Sequence, residues 1–405
     1  MSHLLENKQF FEINNLLKQK KAFSPDVYFF YKMFSEQAFG NYKQAEKFAH
    51  KYEKYFRKKE CSDSVRNYVS RTLSNFYAVN AMHRLDYAQV AKNYEMLLKN
   101  HATDYDSVRL ADFANNVALF GTLKNTPPQK IVKPKQRIEI QSYRNQFNHL
   151  LVSVRKGVTH SKFVFDTGAS FSLVTDSIAQ QMGLKVLPVK INVHTAGSTS
   201  VQTNLAVADS FYVGNILFQN VVFLVVTQSS LTFDAVNYQI WGVIGMPVIM
   251  QMEEVHFLQD GKITVPRRPK KHRFQNLFVD GYNPVVQVFS ENDTLLLHLD
   301  TGARTSELSY KYFKKNEQQI AQNAEIKTVM RGSAGGIQEK NEYALKNFAY
   351  RIGITQGTLP EISVVTENYE FNRLCDGNLG QDILLTYPET VLNFKYMYLK
   401  INELQ

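Results

Sequence analysis

The 405-residue sequence predicts two regions of different class. The first is an all-α N-terminal domain of helical hairpins. The second is mostly β, bilobal, and built from two copies of one unit. Three observations carry this. Apolar residues recur at helical spacing from residue 3 to about residue 124. A proline-rich basic stretch, Thr126 to Arg137, then interrupts the pattern. Beyond it the apolar runs have strand length, and one phrase, Asp-Thr-Gly-Ala, occurs twice.

The helical region divides at local signals. Leu4, Leu5, Phe10, Phe11, Ile13, Leu16 and Leu17 form a first apolar stripe. Ser24-Pro25-Asp26 predicts a helix start with a capping hydroxyl, proline in the first turn and an acid at the positive end. That helix is expected to stop at Gly40. Further starts are read at Asn41, at Ser62 (through Tyr77), at Asp86 (through Leu98) and at Asp104 (through Leu119). Tyr28, Phe29, Phe30, Tyr31 and Phe34 are read as core. The domains follow as 1–125 helical, 126–137 linker, 138–265 first β lobe, 266–273 basic connector and 274–405 second β lobe.

In the β region Phe163-Val-Phe delivers Asp166-Thr167-Gly168-Ala169, and Leu296-Leu-His-Leu delivers Asp300-Thr301-Gly302-Ala303. A carboxylate ending a buried strand is costly unless it is hydrogen-bonded or used. The surroundings recur as well. Thr195-Ala196-Gly197 answers Ser333-Ala334-Gly335, and Tyr212-Val-Gly214 answers Arg351-Ile-Gly353. Val243-Ile-Gly245 lies downstream of Asp166 much as Asn378-Leu-Gly380 lies downstream of Asp300. An ordered repeat of this kind outranks any single motif within it.

From Ile138 to Ile401 the repeat resembles the aspartic proteases, in the retropepsin-like branch with Asp-Thr-Gly-Ala. Two such lobes in tandem resemble bacterial-type aspartyl proteases that carry a helical N-terminal region. Gly40-Asn-Tyr42-x-x-Ala45 and Leu85-Asp-Tyr87 add a tetratricopeptide-like flavour without a regular period. The resemblance implies a pepsin/retropepsin-like acid protease fold. It implies a catalytic pair of Asp166 and Asp300, supported by Thr167, Gly168, Thr301 and Gly302. It also implies flaps over the substrate at Thr195, Ala196 and Gly197 and at Ser333, Ala334 and Gly335. The activity implied is endopeptidase cleavage of extended peptide or unfolded protein, with no cofactor and no metal. Two carboxyls about 3 Å apart do not both ionise easily and share a proton, which suits them to activate water.

The second copy departs from the first. Arg304 stands where the first has Ser170, and Gln381-Asp382 where it has Met246-Pro247. Arg304 facing the pair would favour its ionised form, and Arg304 facing outward would be free to bind substrate. A catalytically silent peptide-binding protein with the same fold is therefore the alternative reading. The helical domain is read either as a partner-binding surface or as a cap.

Composition excludes several classes. The net charge of +10 is accompanied by no nucleic-acid motif, so a solvated basic surface is expected, with no nucleic-acid partner. No run of apolar residues is long enough to span a membrane. The first twenty residues carry Glu6, Lys8, Glu12, Lys18 and Lys20 and no apolar core, so no signal peptide is expected in the chain as given. A cytoplasmic protein and a mature exported form are both compatible with that. Cys61 and Cys375 are expected to be free thiols.

Overall fold

The helical period of the first region folds as helices between residues 2 and 123, and the apolar runs beyond it fold as strands. The structure, a computed structural model, describes residues 1–135, 137–194, 200–291, 293–333, 336–368, 375–384 and 386–402. It divides into two units, Met1–Gln129 and Lys130–Gln405.

In the first unit the helices are Ser2–Glu6, Phe10–Leu16, Pro25–Ala38, Tyr42–Lys58, Asp63–His83, Tyr87–Asn100 and Ser107–Leu123. Consecutive members from Pro25 onward pack against each other. Met33, Ala45, Phe48, Ala49, Leu73 and Phe76 form a core against which Tyr28, Phe29, Phe30 and Phe34 are packed. Gly40, at φ 74°, supplies the left-handed residue that ends the third helix.

Four local expectations are corrected. The first apolar stripe is two helices, separated where Lys8 takes φ 56°. Ser24 makes no side-chain cap hydrogen bond; Pro25 presets the first turn, and the Ser24 carbonyl accepts from Tyr28 N at 2.9 Å. The helix expected to end at Tyr77 continues to His83, because neither Gly nor Pro intervenes. The last helix is capped by Asp106, which accepts from Arg109 N at 2.7 Å, whereas Asp104 closes a short 3-10 turn.

The linker reading is also corrected. Lys130–Val132 forms a strand paired antiparallel with Leu217–Gln219. Proline flanks this segment without interrupting it, and Ile131 and Val132 are β-branched.

Among the described residues the strands form sheets of nine, eight, five and two strands. In the nine-stranded sheet, Thr159–Phe165 runs parallel to Gly242–Ile244. Gly242–Ile244 is antiparallel to Ser172–Thr175, which is parallel to Ile216–Val226. The eight-stranded sheet repeats this order. Asp293–Leu299 is parallel to Gly377–Leu379, which is antiparallel to Glu307–Leu308, which is parallel to Thr355–Val364. Phe163, Phe211 and Phe223 interlock edge-on or tilted within the first of these cores.

The five-stranded sheet mixes early and late chain. Ile138–Ile140, Ile263–Val265 and Glu254–Leu258 join Glu389–Asn393 and Tyr398–Asn402. At its seam Glu254–Leu258 pairs antiparallel with Glu389–Asn393. His256 bridges the seam, with Nδ1 2.7 Å from Glu389 and Nε2 2.7 Å from Glu254. Glu254 is 1% exposed and also accepts from the Lys270 amide at 2.6 Å. Burial alone would lower the His256 pKa, but its two glutamates raise it overall. Burial likewise opposes ionisation of Glu254 and Glu389 and is the largest single influence on each. It is outweighed by the sum of the hydrogen bonds and charge of His256 with the Lys270 amide and Asn393 at Glu254, and with Asn402 and Arg137 at Glu389, so both are lowered.

The contribution of a raised His256 is complete below its ordinary value of 6.5 and is lost as pH rises through its folded value. That of the lowered glutamates is complete above 4.5 and is lost as pH falls through theirs. The seam is therefore tightest between those two values. His256→Ala, which strands buried Glu254, is expected to cost about 3 kcal/mol in this window. The deficit relative to wild type shrinks at alkaline pH; denaturant midpoints at several pH values measure it.

Candidate active site

Both Asp-Thr-Gly-Ala turns hang from central strands of equivalent pairing. The Asp166 amide donates to Ile244 O and the Asp300 amide to Leu379 O, each at 3.0 Å. Each turn is closed by the next segment, with Met246 N on Ala169 O at 2.9 Å and Gln381 N on Ala303 O at 3.0 Å. Sequences 134 residues apart thus meet in one site.

The threonines lock it. The Thr167 hydroxyl donates to Leu299 O at 2.7 Å and accepts from Thr301 N at 3.0 Å. The Thr301 hydroxyl donates to Phe165 O at 2.8 Å and accepts from Thr167 N at 3.0 Å. Both threonines are buried, 0% and 1% exposed, so the four bonds are sheltered from water.

The glycines bring the carboxyls together. Gly168 N donates to Asp166 Oδ1 at 2.7 Å, and Gly302 N donates to Asp300 Oδ1 at 2.9 Å. Ala303 N adds a second donor to Asp300 at 3.1 Å. A Cβ on Gly168 would stand 2.6 Å from Asp300 Oδ1, and one on Gly302 would stand 2.7 Å from Asp166 Oδ2. Side chains at either position would therefore force the pair apart. The two carboxyls lie within hydrogen-bonding reach of each other. Burial first, and the charge of Asp300 second, push the Asp166 carboxyl up to about 8, against the pull of the Gly168 and Gly302 amides. Two facing carboxyls in this state hold one proton between them and can act together as acid and base.

Arg304 is solvent-exposed, and the charge acting on Asp166 is that of Asp300. The structure therefore brings together Asp166, Thr167, Gly168, Asp300, Thr301 and Gly302. Of the flap positions, Thr195, Ala196, Gly197, Ala334 and Gly335 lie outside the described residues. Ser333 ends the strand Glu325–Ser333, paired with Gly336.

Two supporting serines escaped the sequence reading. Gly245 N donates to the Ser172 hydroxyl at 3.0 Å, and Gly380 N to the Ser306 hydroxyl at 2.9 Å. Each serine lies six residues after its aspartate, so the repeat held the signal. The departures of the second copy brace its turn. Ser306 donates through its hydroxyl and amide to Asp382 at 2.6 and 2.8 Å, and Gln381 Nε2 donates to Thr301 O at 2.6 Å.

Residues 152–248 match the model of a family described as aspartyl protease. The match supports an aspartic protease-like domain. It includes Asp166 and Gly245. No curated protein matches the chain.

Thr167→Val is expected to cost about 2–5 kcal/mol, because it removes one buried donor and one acceptor and orphans Leu299 O and Thr301 N. Thr167→Ser, which keeps the hydroxyl, is expected to lose much less. Denaturant unfolding of the two variants beside wild type makes the comparison.

Proposed function

We propose that the protein is a single-chain aspartic endopeptidase whose working pair is Asp166 and Asp300. Residues 138–265 and 274–405 serve as its two lobes, in the pepsin/retropepsin manner. The observation that carries the reading is the crossed, buried Thr167–Thr301 bonding beneath two half-buried carboxyls within reach of each other. The aspartyl protease family match over residues 152–248 supports it.

The chemistry needs only the pair and water. The ionised carboxyl takes a proton from a water lodged between the two. The oxygen attacks the peptide carbonyl carbon, and the protonated carboxyl gives its proton to the carbonyl oxygen. Collapse of the resulting gem-diol breaks the C–N bond as the newly protonated carboxyl gives its proton to the amine nitrogen and the other carboxylate takes the proton of a gem-diol hydroxyl, whose oxygen becomes the carbonyl of the product acid. An acid and an amine leave, and the pair again holds one proton. The substrate is an extended peptide, lying between β-rich walls that offer backbone hydrogen bonds.

The test is cleavage of a mixed peptide library by wild type, Asp166→Asn and Asp300→Asn. Both variants are expected to lose cleavage by at least about 10²–10⁴-fold. Activity in either single variant would overturn the shared-pair reading. The pH profile carries a second expectation. Burial and the facing Asp300 push the Asp166 carboxyl up to about 8, which favours a protonated Asp166 at neutral pH. Cleavage should therefore extend through pH 7 and fall as pH rises through about 8.

A further inference from the structure

The segment that joins the two halves carries Arg267, Arg268, Lys270, Lys271 and Arg273, and all five are exposed. Among the described residues no carboxylate pairs with any of them. Exposed lysines elsewhere on this unit do find partners. Lys262 lies 3.2 Å from Asp260, Lys314 2.6 Å from Glu317 and Lys315 2.7 Å from Asp293.

The basic segment is not a slack tether. Lys270 N donates to Glu254 at 2.6 Å. Lys270 O accepts from Asn393 Nδ2 at 3.1 Å and from the Tyr398 hydroxyl at 2.9 Å. Glu254, Asn393 and Tyr398 belong to the five-stranded sheet and are buried, so this clamp is sheltered from water. Pro266 and Pro269 restrict the backbone on either side of the arginine pair. The backbone is thus ordered before any partner arrives, which lowers the cost of binding. Two further cations border it. Lys395 is exposed in the turn after Asn393. Lys400 lies close enough to act on His272, which burial first, and then the charges of Lys400 and Arg273, push down. Cations gathered in this way set up a positive field that draws in a polyanion.

Two features decide which polyanion. The rings at the site are used among themselves. His272 packs on Phe274 at 4.3 Å and on Tyr398 at 5.4 Å between centroids, and all three are buried or half-buried. That leaves no open platform on which nucleic-acid bases could stack. Phe274 also meets a hairpin tip, because a Cβ on Gly353 would stand 2.7 Å from its Cζ. The next residue at that tip is Ile354, an aliphatic side chain that is 62% exposed. Cations beside an exposed aliphatic group suit a lipid surface, where the charges meet headgroups and the apolar group enters the boundary beneath them.

We propose that the segment Arg267 to Arg273, with Lys395, Lys400 and Ile354, is a docking surface for an anionic lipid bilayer. This goes beyond the endopeptidase reading and does not depend on it. The test is co-sedimentation of the full chain with vesicles of phosphatidylcholine, alone or with phosphatidylglycerol added. Binding is expected only to the anionic vesicles at ~0.1 M salt, and its loss towards ~1 M, where charges are screened within about 3 Å. The triple variant Arg267→Gln, Arg268→Gln and Lys271→Gln, which alters exposed side chains alone, is expected to bind about 10²-fold more weakly. A second variant, Trp241→Phe with Ile354→Trp, moves the single tryptophan to the hairpin tip. Its emission is expected to shift to shorter wavelength on the anionic vesicles. No binding, equal binding to both vesicles, undiminished binding by the triple variant or an unshifted emission in the bound state would each overturn the proposal. So would tighter binding to a DNA duplex or to polyglutamate than to the anionic vesicles. Turnover is not read in any arm, so failure of the endopeptidase reading leaves this test intact.

Discussion

Everything in the candidate site depends on four sheltered hydrogen bonds between two threonines. Each Thr hydroxyl reaches across to the other half's strand end and receives the other's amide. A carboxyl pair repels itself once ionised and loses hydration when buried, so it holds only if its surroundings are stiffer than that repulsion. The crossed bonds supply the stiffness. The bare glycines permit the approach, and the turn amides orient the oxygens.

A second layer holds the halves in register. The five-stranded sheet takes strands from both, and His256 ties two glutamates across its seam. The repeated pairing order gives each aspartate the same scaffold, with a serine under each apolar-Gly segment. Within that symmetry the halves differ in chemistry. The first backs its aspartate with valine and leucine, and the second with histidine, asparagine and glutamate.

The aspartates, threonines and glycines were legible because a repeat fixes their order, and strand-then-glycine turns follow from local chemistry. The helices were legible in existence more than in extent. Helix Asp63–His83 runs on through residues that carry no stop signal, and Lys130–Val132 became a strand only because a distant edge was waiting for it. The mixing of Ile138–Ile140 with the C-terminal strands is a long-range pairing that no local pattern encodes. His298 was read as one more residue of an apolar strand. Register sets it beside Asn378, which pairs in turn with Glu307, and no local pattern gives that row. Departures such as Gln381 and Asp382 looked like decay in one dimension and are braces in three.

The central claim is that two halves of one chain build one composite site. Its most direct measurement is an active-site titration with a peptide isostere bearing a hydroxyl at the scissile position, performed on monomeric protein. The account predicts one inhibitor bound per chain, with binding lost when either Asp166 or Asp300 alone is replaced by alanine. One inhibitor per two chains, or full binding with one of the aspartates removed, would contradict it.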